Sequence, residues 1–391
     1  MTEMIKEFLQ TPILFIIFNR PEYTRESFAA IRQAKPKKLY IAADGPRQGK
    51  EGEKELCEEA RNLVLNSIDW DCEVKTRFQE KNLGCYLGVS SAISWLFENE
   101  EVGIILEDDV VANLSFLKYC EELLEKYGEE KQVWTISGYT WLEQMNTPES
   151  FCFVQRFSCW GWATWADRWK SHSLDLTNYN YANLKNIDNE LARKFWMEIL
   201  AIMQSDSPID SWAYRYQLRG VEHNALHIIP NKNLCKNIGN YGTHSSGTNS
   251  YYHLPTFEIQ EIIYPKTVEL NNKIQLHLDE HFSKYEVPFP FPENCSIPKK
   301  RDVFLWGTGK DATKVLAQVK YNGYKVAAFV DSNKKRQDIK FNGYDVISPK
   351  ELFEKKLSSY FIVIASTKYA SEVAVELEEN GLVKNKDYWR P

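Results

Sequence analysis

Charged and polar residues follow four short apolar segments near the start of the sequence, and these residue types could do chemistry together. The four groups are Asn19-Arg20-Pro21, Asp44-Gly45-Pro46-Arg47, Lys81-Asn82-Leu83-Gly84 and Glu107-Asp108-Asp109. Guanidinium groups pair bidentately with phosphate oxygens, and clustered carboxylates attract hard divalent cations. The set is therefore typical of a site for a phosphate-bearing ligand and a cation.

The acidic triplet Glu107-Asp108-Asp109 carries the cation hypothesis. Adjacent carboxylates at the lip of a buried strand repel each other, and a divalent cation that bridges to a diphosphate would offset that cost. The alternative is a solvated loop in which Asp109 or Asn113 caps the next helix.

The two arginines and the Asp44-Gly45 pair also allow two interpretations each. Arg20 and Arg47 either contact phosphate or are ordinary surface arginines. Asp44-Gly45 is either a simple turn or a carboxylate that accepts a hydrogen bond from a base N–H, with glycine permitting close approach.

Alternating apolar runs and amphipathic segments must position these residues. We predict strands at 13–18, 39–42, 72–78, 102–106 and 133–136, with helices between the first four and one over 116–127. This order is typical of β/α units around a mostly parallel sheet. Ligands bind outside the carboxyl ends of such strands, so the four groups should meet at one edge.

The rest of the chain divides into three regions. Residues 140–285 lack clear periodicity, and we expect mostly loops there. Residues 286–300 contain four prolines and predict an interdomain linker. Strands predicted at 303–306, 326–330, 346–347 and 361–365, with a helix carrying Ala312 to Val319, indicate a second α/β domain over 301–391.

Composition limits the class of protein. The 391 residues are 43% apolar and 26% charged, with a net charge of −6. This excludes disordered and coiled-coil chains and predicts roughly two to three domains. The charge gives no bulk attraction to nucleic acid. No run could span a bilayer and no CxxC pair occurs among the eight cysteines, so we expect a cytoplasmic protein with reduced thiols.

The first 280 residues resemble GT-A nucleotide-sugar-dependent glycosyltransferases. The resemblance is closest to the bacterial hemolysin or HlpA-like group and more distant to N-acetylglucosaminyltransferase I and O-mannose N-acetylglucosaminyltransferase. It is carried by PILFIIFNRPEYT (12–24), LYIAADGPR (39–47), KNLGCYLGVSSAISWLFE (81–98), GIILEDDVV (103–111) and CWGWATW (159–165). It implies a GT-A domain over 1–285.

The resemblance also implies roles for the clustered residues. Asp44 would contact the base, Arg20 would lie near the diphosphate, and Glu107 and Asp108 would touch ribose and sugar hydroxyls. Asp109 would ligate Mn²⁺ or Mg²⁺, although this chain has Glu-Asp-Asp where the family motif is Asp-x-Asp. The remaining donor-side candidates are Asn19, Arg47, Lys81 and Gly84. His244, which ends a glycine-rich loop, would approach the metal or diphosphate, or is a solvated loop histidine.

Asp210-Ser211-Trp212 resembles the Asp-Asp-Trp segment that supplies the catalytic base of the inverting enzymes. An inverting transfer needs one carboxylate to take the proton of the acceptor hydroxyl, and Asp210 would do so. The alternative is that Asp210 caps the helix predicted over 212–218.

Tryptophans crowd the segment from 160 to 169, and Trp160, Trp162 and Trp212 could stack on sugar rings. Core packing is the alternative use for them.

The second domain carries Gly307-Thr308-Gly309 between a strand and a helix, with Asp331 at the end of the next strand. This context fits a dinucleotide-binding loop. The domain resembles the small Rossmann-like module of sugar C-methyltransferases. Nucleotide binding, with NAD as one candidate, docking and dimerisation all stay open.

These observations predict a metal-dependent, inverting glycosyltransferase that uses a UDP-sugar, with UDP-N-acetylglucosamine as one candidate. The acceptor would be a saccharide or a glycolipid-linked glycan. The alternatives are a carbohydrate-binding or adhesin-like protein that retains the fold, a sugar nucleotidyltransferase and a dehydrogenase. A nucleotidyltransferase normally has a glycine-rich loop after the first strand, which Phe18-Asn19-Arg20-Pro21 lacks. Lys35, Lys37 and Lys38 suggest peripheral membrane contact without a membrane span.

Overall fold

The computed structural model describes residues 9–143, 145, 147–170, 173–239, 254–283, 301–309, 311–356 and 359–391. The chain divides into two compact units. The first contains Met1–Asp175 and Asp210–His281, and the second contains Leu176–Ile209 and Phe282–Pro391. A segment from the middle of the sequence therefore belongs with the C-terminal residues. The predicted linker over 286–300 lies outside the described residues.

The secondary structure alternates strands and helices over both units. The strands are β1 (Ile13–Ile17), β2 (Lys38–Ala43), β3 (Glu73–Phe78), β4 (Val102–Glu107), β5 (Val110–Ala112), β6 (Val133–Ser137), β7 (Phe151–Val154), β8 (Trp162–Trp165), β9 (Leu226–Pro230), β10 (Cys235–Asn237), β11 (Asp302–Trp306), β12 (Val326–Val330), β13 (Lys340–Phe341), β14 (Tyr344–Ile347), β15 (Tyr360–Ile364) and β16 (Tyr388–Trp389). The helices are α1 (Pro21–Ala34), α2 (Glu53–Asn66), α3 (Gly84–Asn99), α4 (Leu114–Lys126), α5 (Ala166–Lys170), α6 (Glu190–Met203), α7 (Trp212–Glu222), α8 (Asn272–Ser283), α9 (Ala312–Tyr321), α10 (Pro349–Phe353) and α11 (Ala370–Glu379).

An eight-stranded sheet forms the centre of the first unit, in the order β3-β2-β1-β4-β8-β6-β9-β7. Strands β3, β2, β1 and β4 are parallel, and β8 runs antiparallel between β4 and β6. A separate antiparallel pair joins β5 and β10. The predicted α/β class is confirmed, and the first four strands have the expected parallel arrangement.

The central strand β1 is buried on both faces. Ile13, Phe15 and Ile17 pack into one apolar cluster, while Leu14 packs into the other. A strand covered by helices on both sides carries a continuous apolar run, which is why the sequence predicted it within one residue.

The region 140–285, where we expected mostly loops, also holds regular elements that the sequence analysis did not identify. This region contains β7 to β10 and α5 to α8. Its strands are only three to five residues long. Such short strands give too few positions for a period to be recognised.

A six-stranded sheet forms the second unit, in the order β13-β14-β12-β11-β15-β16. All neighbours are parallel except β13 and β14. Helix α6 packs against α9. The side-chain amide of Gln318 donates a hydrogen bond to the buried Glu198 carboxylate between these helices.

Candidate functional site

The carboxyl ends of β2, β1 and β4 lie side by side and bring the predicted residues to one edge of the sheet. Pairing of Ile17 with Ala43, and of Ile16 with Glu107, sets the register there. The loops after these strands therefore start at the same level, as parallel pairing requires.

Arg20 is held between two carboxylates of the acidic triplet. Its Nη1 lies 3.0 Å from Asp109 Oδ2, its Nε lies 3.3 Å from Asp108 Oδ2, and its Nη2 is ion-paired with Asp108 Oδ1. The Asp108 side chain is nearly inaccessible, whereas those of Arg20 and Asp109 are 27% and 17% exposed. Asp108 thus anchors the guanidinium, and Asp109 faces the solvent side of the cluster.

Burial and mutual repulsion shift the protonation of the triplet. Desolvation, followed by the charges of Asp109 and Asp108, raises the pKa of Glu107 to about 8. Desolvation also raises the pKa of Asp108 to about 6, although Arg20 opposes that shift. Even with Glu107 protonated near neutral pH, the two aspartates outnumber the single guanidinium, so the cluster is short of positive charge.

The triplet suits a cation that arrives with a phosphate ligand. Asn113, not Asp109, caps α4, because its side chain accepts from Phe116 N at 2.8 Å. Asp109 is therefore not used as a cap. Over the described ranges, no three His, Cys, Asp or Glu side chains group as a cation cage. Magnesium in phosphate sites commonly takes one or two carboxylates, with substrate phosphates completing the shell, and Asp109 fits that chemistry.

The loop after β10 lies against Asp109. Ile238 N donates to Asp109 O at 2.8 Å, and a Cβ on Gly239 would lie 2.3 Å from Asp109 Oδ2. Only glycine allows this approach without displacement. His244 follows this loop and lies outside the described residues.

Asp44, which directly follows β2, caps the amino end of α3. Its carboxylate accepts from Leu83 N at 2.9 Å, Gly84 N at 3.2 Å and Asn82 Nδ2 at 2.9 Å. Burial raises the pKa of Asp44, and these backbone donors partly offset the shift. A Cβ on Gly45 would lie 2.5 Å from the Lys81 backbone, so glycine is required at that contact.

Asp210 reaches the same helix end. Its two carboxylate oxygens accept from Cys85 N and Tyr86 N, each at 2.8 Å. The cap of α7 is Ser211, whose Oγ accepts from Tyr214 N. Of the two interpretations of Asp210, capping of the following helix is therefore wrong, since Asp210 caps α3 instead. Asp44 and Asp210 lie on either side of Gly84, whose φ is +80°.

Arg47 and Asn19 are joined by a residue that the sequence analysis missed. Both bind the buried carboxylate of Glu53, at 2.9 Å for Asn19 Nδ2 and 2.9 Å for Arg47 Nε. Glu53 starts α2 and had no sequence signal, because only folding brings it to these loops. Lys81 is exposed at the rim.

Cys85 and Cys159 are also neighbours of the triplet. Desolvation, followed by the charges of Glu107 and Asp210, raises the pKa of Cys85 to about 12. Desolvation and the charge of Glu107 likewise raise the pKa of Cys159. Both groups are therefore neutral thiols near physiological pH.

The three tryptophans proposed for sugar stacking lie in different environments. Trp162 and Trp212 are 0% and 2% exposed and stack on each other with ring centroids 5.5 Å apart. Protein therefore covers their faces. Trp160 is half-buried and packs against Trp141, with ring centroids 4.5 Å apart.

In the second unit, the aspartate at the end of β12 binds the glycine-rich loop. Asp331 Oδ2 accepts from Thr308 N at 3.1 Å and from Thr308 Oγ1 at 2.5 Å. Gly307 has φ +115°, whereas a Cβ on Gly309 would meet open space. Of this pair, only Gly307 needs the freedom of glycine for its backbone.

Comparison with known proteins gives distant similarities. The family model described as C2185-like, N-terminal, matches residues 299–387, a minor part of the chain. No curated protein matches the sequence. Among described residues, no helix combines the length and apolarity needed to cross a membrane.

Three solved structures illustrate the structural similarities. S. aureus TarS has a TM-score of 0.33 at 11% identity, covering 58% of this chain and 59% of TarS, which is less than two-thirds of that chain. Mouse xyloside xylosyltransferase 1 has a TM-score of 0.32 at 10% identity, and the match covers 56% of this chain and 84% of that protein. A UDP-glucose pyrophosphorylase complexed with UDP-glucose has a TM-score of 0.28 at 10% identity, and the match covers 57% of this chain and 91% of that protein. Scores this low establish neither the fold nor the activity of this chain.

Proposed function

We propose that this protein is a metal-dependent, inverting glycosyltransferase that moves a sugar from a UDP-sugar to an acceptor hydroxyl. The observation that supports it best is the meeting of Asp44 and Asp210 at Gly84, on the amino end of α3. In this arrangement Asp44 would serve the donor and Asp210 the acceptor.

The donor would lie across the carboxyl ends of β2, β1 and β4. Asp44 would accept from a base N–H, and the partly exposed face of Arg20 would pair with diphosphate oxygens. Asn19, Arg47, Lys81 and Gly84 would line or shape the same edge. Asp108, already bonded to Arg20, would position that guanidinium.

Asp109 would hold Mn²⁺ or Mg²⁺ together with the diphosphate, and His244 is a second candidate ligand. A bound divalent cation supplies charge stabilisation to the departing diphosphate. Glu107 would contact hydroxyl groups of the ribose or sugar.

Asp210 would act as the general base. Its carboxylate would take the proton of the acceptor hydroxyl as that oxygen bonds to the anomeric carbon and the bond to the diphosphate breaks. Its two backbone donors, Cys85 N and Tyr86 N, fix its orientation. Attack opposite the leaving group inverts the anomeric configuration.

The acceptor would be a saccharide or a glycolipid-linked glycan, and the reaction would take place in the cytoplasm. Trp160 would be the aromatic contact for a sugar ring, since it is half-buried while Trp162 and Trp212 are covered.

A product assay tests this function. The protein is incubated with each UDP-sugar, Mn²⁺ and a panel of saccharide and glycolipid acceptors, and released UDP and product configuration are measured. We expect one donor to give a β-linked product from an α-linked sugar. A retained configuration, or release of a nucleoside triphosphate from UDP-sugar and pyrophosphate, would contradict the proposal.

A further inference from the structure

A groove between α1 and the end of α2 lies outside the candidate site. It is open to solvent, has a volume of about 440 Å³, and is lined by residues that include Arg25, Ala29, Arg32, Lys35, Leu63 and Asp69. We call it the α1–α2 groove. Arg25, Ala29 and Arg32 share one face of α1, because residues three and four apart are neighbours on a helix.

The charge of the α1–α2 groove is positive. Arg32 Nη2 is ion-paired with Asp69 Oδ2 at 2.6 Å, so these two charges balance. Among the described residues, no carboxylate lies within ion-pair distance of Arg25 or Lys35. The groove is therefore lined by three cations, Arg25, Arg32 and Lys35, and by one carboxylate, Asp69, on a chain whose net charge is −6.

The backbone at Lys35 adds a second observation. Lys35 is the C-cap of α1 and has φ 48°, in the left-handed region. Glycine or asparagine is usual at this kind of helix end, and a lysine there carries a backbone penalty. Lysine is present there despite this penalty, and Lys35 lines the groove.

Part of the wall of the α1–α2 groove is apolar. Leu63 and Ala29 line it together with the ring of Phe28, which is almost fully buried. A groove lined by both cations and apolar side chains matches a ligand with an anionic head and an apolar stem.

We propose that the α1–α2 groove binds the headgroup of an anionic phospholipid and docks the protein on a membrane surface. Lys37 is exposed beside it, whereas Lys38 is turned to Glu100, with 2.9 Å between Nζ and Oε1. Of the three lysines that suggested membrane contact, only Lys35 lines the groove, and Arg25 and Arg32 are its other basic residues. None of the residues that line this surface is among the donor-site residues, so the two can be tested separately.

Vesicle co-sedimentation of the full chain tests the proposal. Vesicles of phosphatidylcholine alone are compared with vesicles containing phosphatidylglycerol. Three variants are used: Arg25→Glu/Lys35→Glu, the groove-filling Ala29→Trp, and a control pair Lys54→Glu/Lys118→Glu on exposed cations of the same unit. Each basic side chain near an anionic surface contributes about five-fold in affinity, so the first variant should bind roughly 25-fold more weakly or worse.

The proposal expects binding only to anionic vesicles, lost in the charge-reversed and Ala29→Trp proteins and retained in the control pair. If both charge-reversed pairs lose vesicle binding equally and Ala29→Trp retains it, the attraction is diffuse and the proposed groove site is overturned. Absence of binding by the wild type would overturn it as well. Inorganic phosphate that displaces the protein at equal ionic strength would indicate a free-phosphate site instead. Thermal stabilisation by UDP in every variant reports separately on the donor site.

Discussion

Asp210 and Ser211 are adjacent in sequence but act on different helices. Asp210 holds the amino end of α3, and Ser211 caps α7. The sequence alone left catalysis and capping as alternatives for Asp210. The three-dimensional contacts assign the α7 cap to the next residue, so the two roles are separable by single substitutions.

Asp210→Asn should reduce turnover by roughly 10²-fold to 10⁴-fold, the usual loss when a general base is removed. The amide oxygen can still accept one of the two backbone hydrogen bonds, but the amide NH2 faces the other N–H, so stability should fall by about 1–3 kcal/mol while UDP binding is retained. Steady-state kinetics and thermal denaturation measure both effects. Ser211→Ala is the matched control and should cost about 1 kcal/mol of stability with turnover retained. Full activity in Asp210→Asn would remove it from the mechanism.

His227 provides a pH-dependent term in stability. It is fully buried in β9, its Nδ1 lies 2.8 Å from Thr135 Oγ1, and burial lowers its pKa from 6.5 to about 3. As the pH falls, the unfolded chain therefore binds a proton at this histidine at a higher pH than the native protein does. The stabilisation is complete above pH 6.5 and is lost as pH falls toward 3, at up to about 1.4 kcal/mol per pH unit.

His227→Gln should flatten the dependence of unfolding free energy on pH between 6.5 and 4, measured by urea denaturation. His223→Gln, at the C-cap of α7, where the imidazole is 44% exposed, is the control for replacing a histidine outside the core. An equal slope in wild type and His227→Gln would be inconsistent with a buried neutral imidazole.

Among the elements, α3 connects the two parts of the site because Asp44 and Asp210 both bind its first turn. Its sequence signal was clear, since Val89, Ile93, Leu96 and Phe97 form one buried face. Strands β1, β2 and β4 were predicted to within one or two residues because central parallel strands are continuously apolar. Glu53 and Cys159 were missed because only tertiary contacts bring them to the site.

Gly84→Ala tests the role of this helix end. Gly84 has φ +80°, and a Cβ there would lie 2.6 Å from Asp210 Oδ2. Alanine should cost about 1–2 kcal/mol in backbone strain and also displace Asp210, so turnover should fall with stability. Gly52→Ala is the matched control, because Gly52 has φ +75° and nothing within 4 Å of a Cβ. Similar activity in the two variants would show that the Asp210 contact does not matter.

For the whole molecule, the segment from Leu176 to Ile209 is the feature that the sequence could not predict. It lies inside the predicted first domain, yet it belongs to the second unit. Helix α6 buries Trp196, Ile199 and Leu200, and it packs against α9 more than one hundred residues later. Periodicity identifies an amphipathic helix but not which partner covers its apolar face.

Truncation after residue 283 should therefore leave the apolar face of α6 without α9. We expect lower thermal stability and self-association, measured by differential scanning fluorimetry and size-exclusion chromatography with light scattering. The full chain is the control. A truncated protein that stays monomeric with an unchanged melting temperature would instead support independent domains over 1–285 and 301–391.

The most direct test of the proposed function is thermal stabilisation by nucleotides with and without Mn²⁺, in wild type, Asp109→Asn and the control Asp167→Asn, a half-exposed carboxylate that pairs with Lys131 and Arg168 outside the candidate site. A ligand that binds the native state raises its stability according to occupancy. We predict a manganese-dependent shift with UDP or one UDP-sugar in wild type and Asp167→Asn, and its loss in Asp109→Asn. No shift with any uridine nucleotide, or a metal-independent shift with NAD alone, would contradict a UDP-sugar transferase.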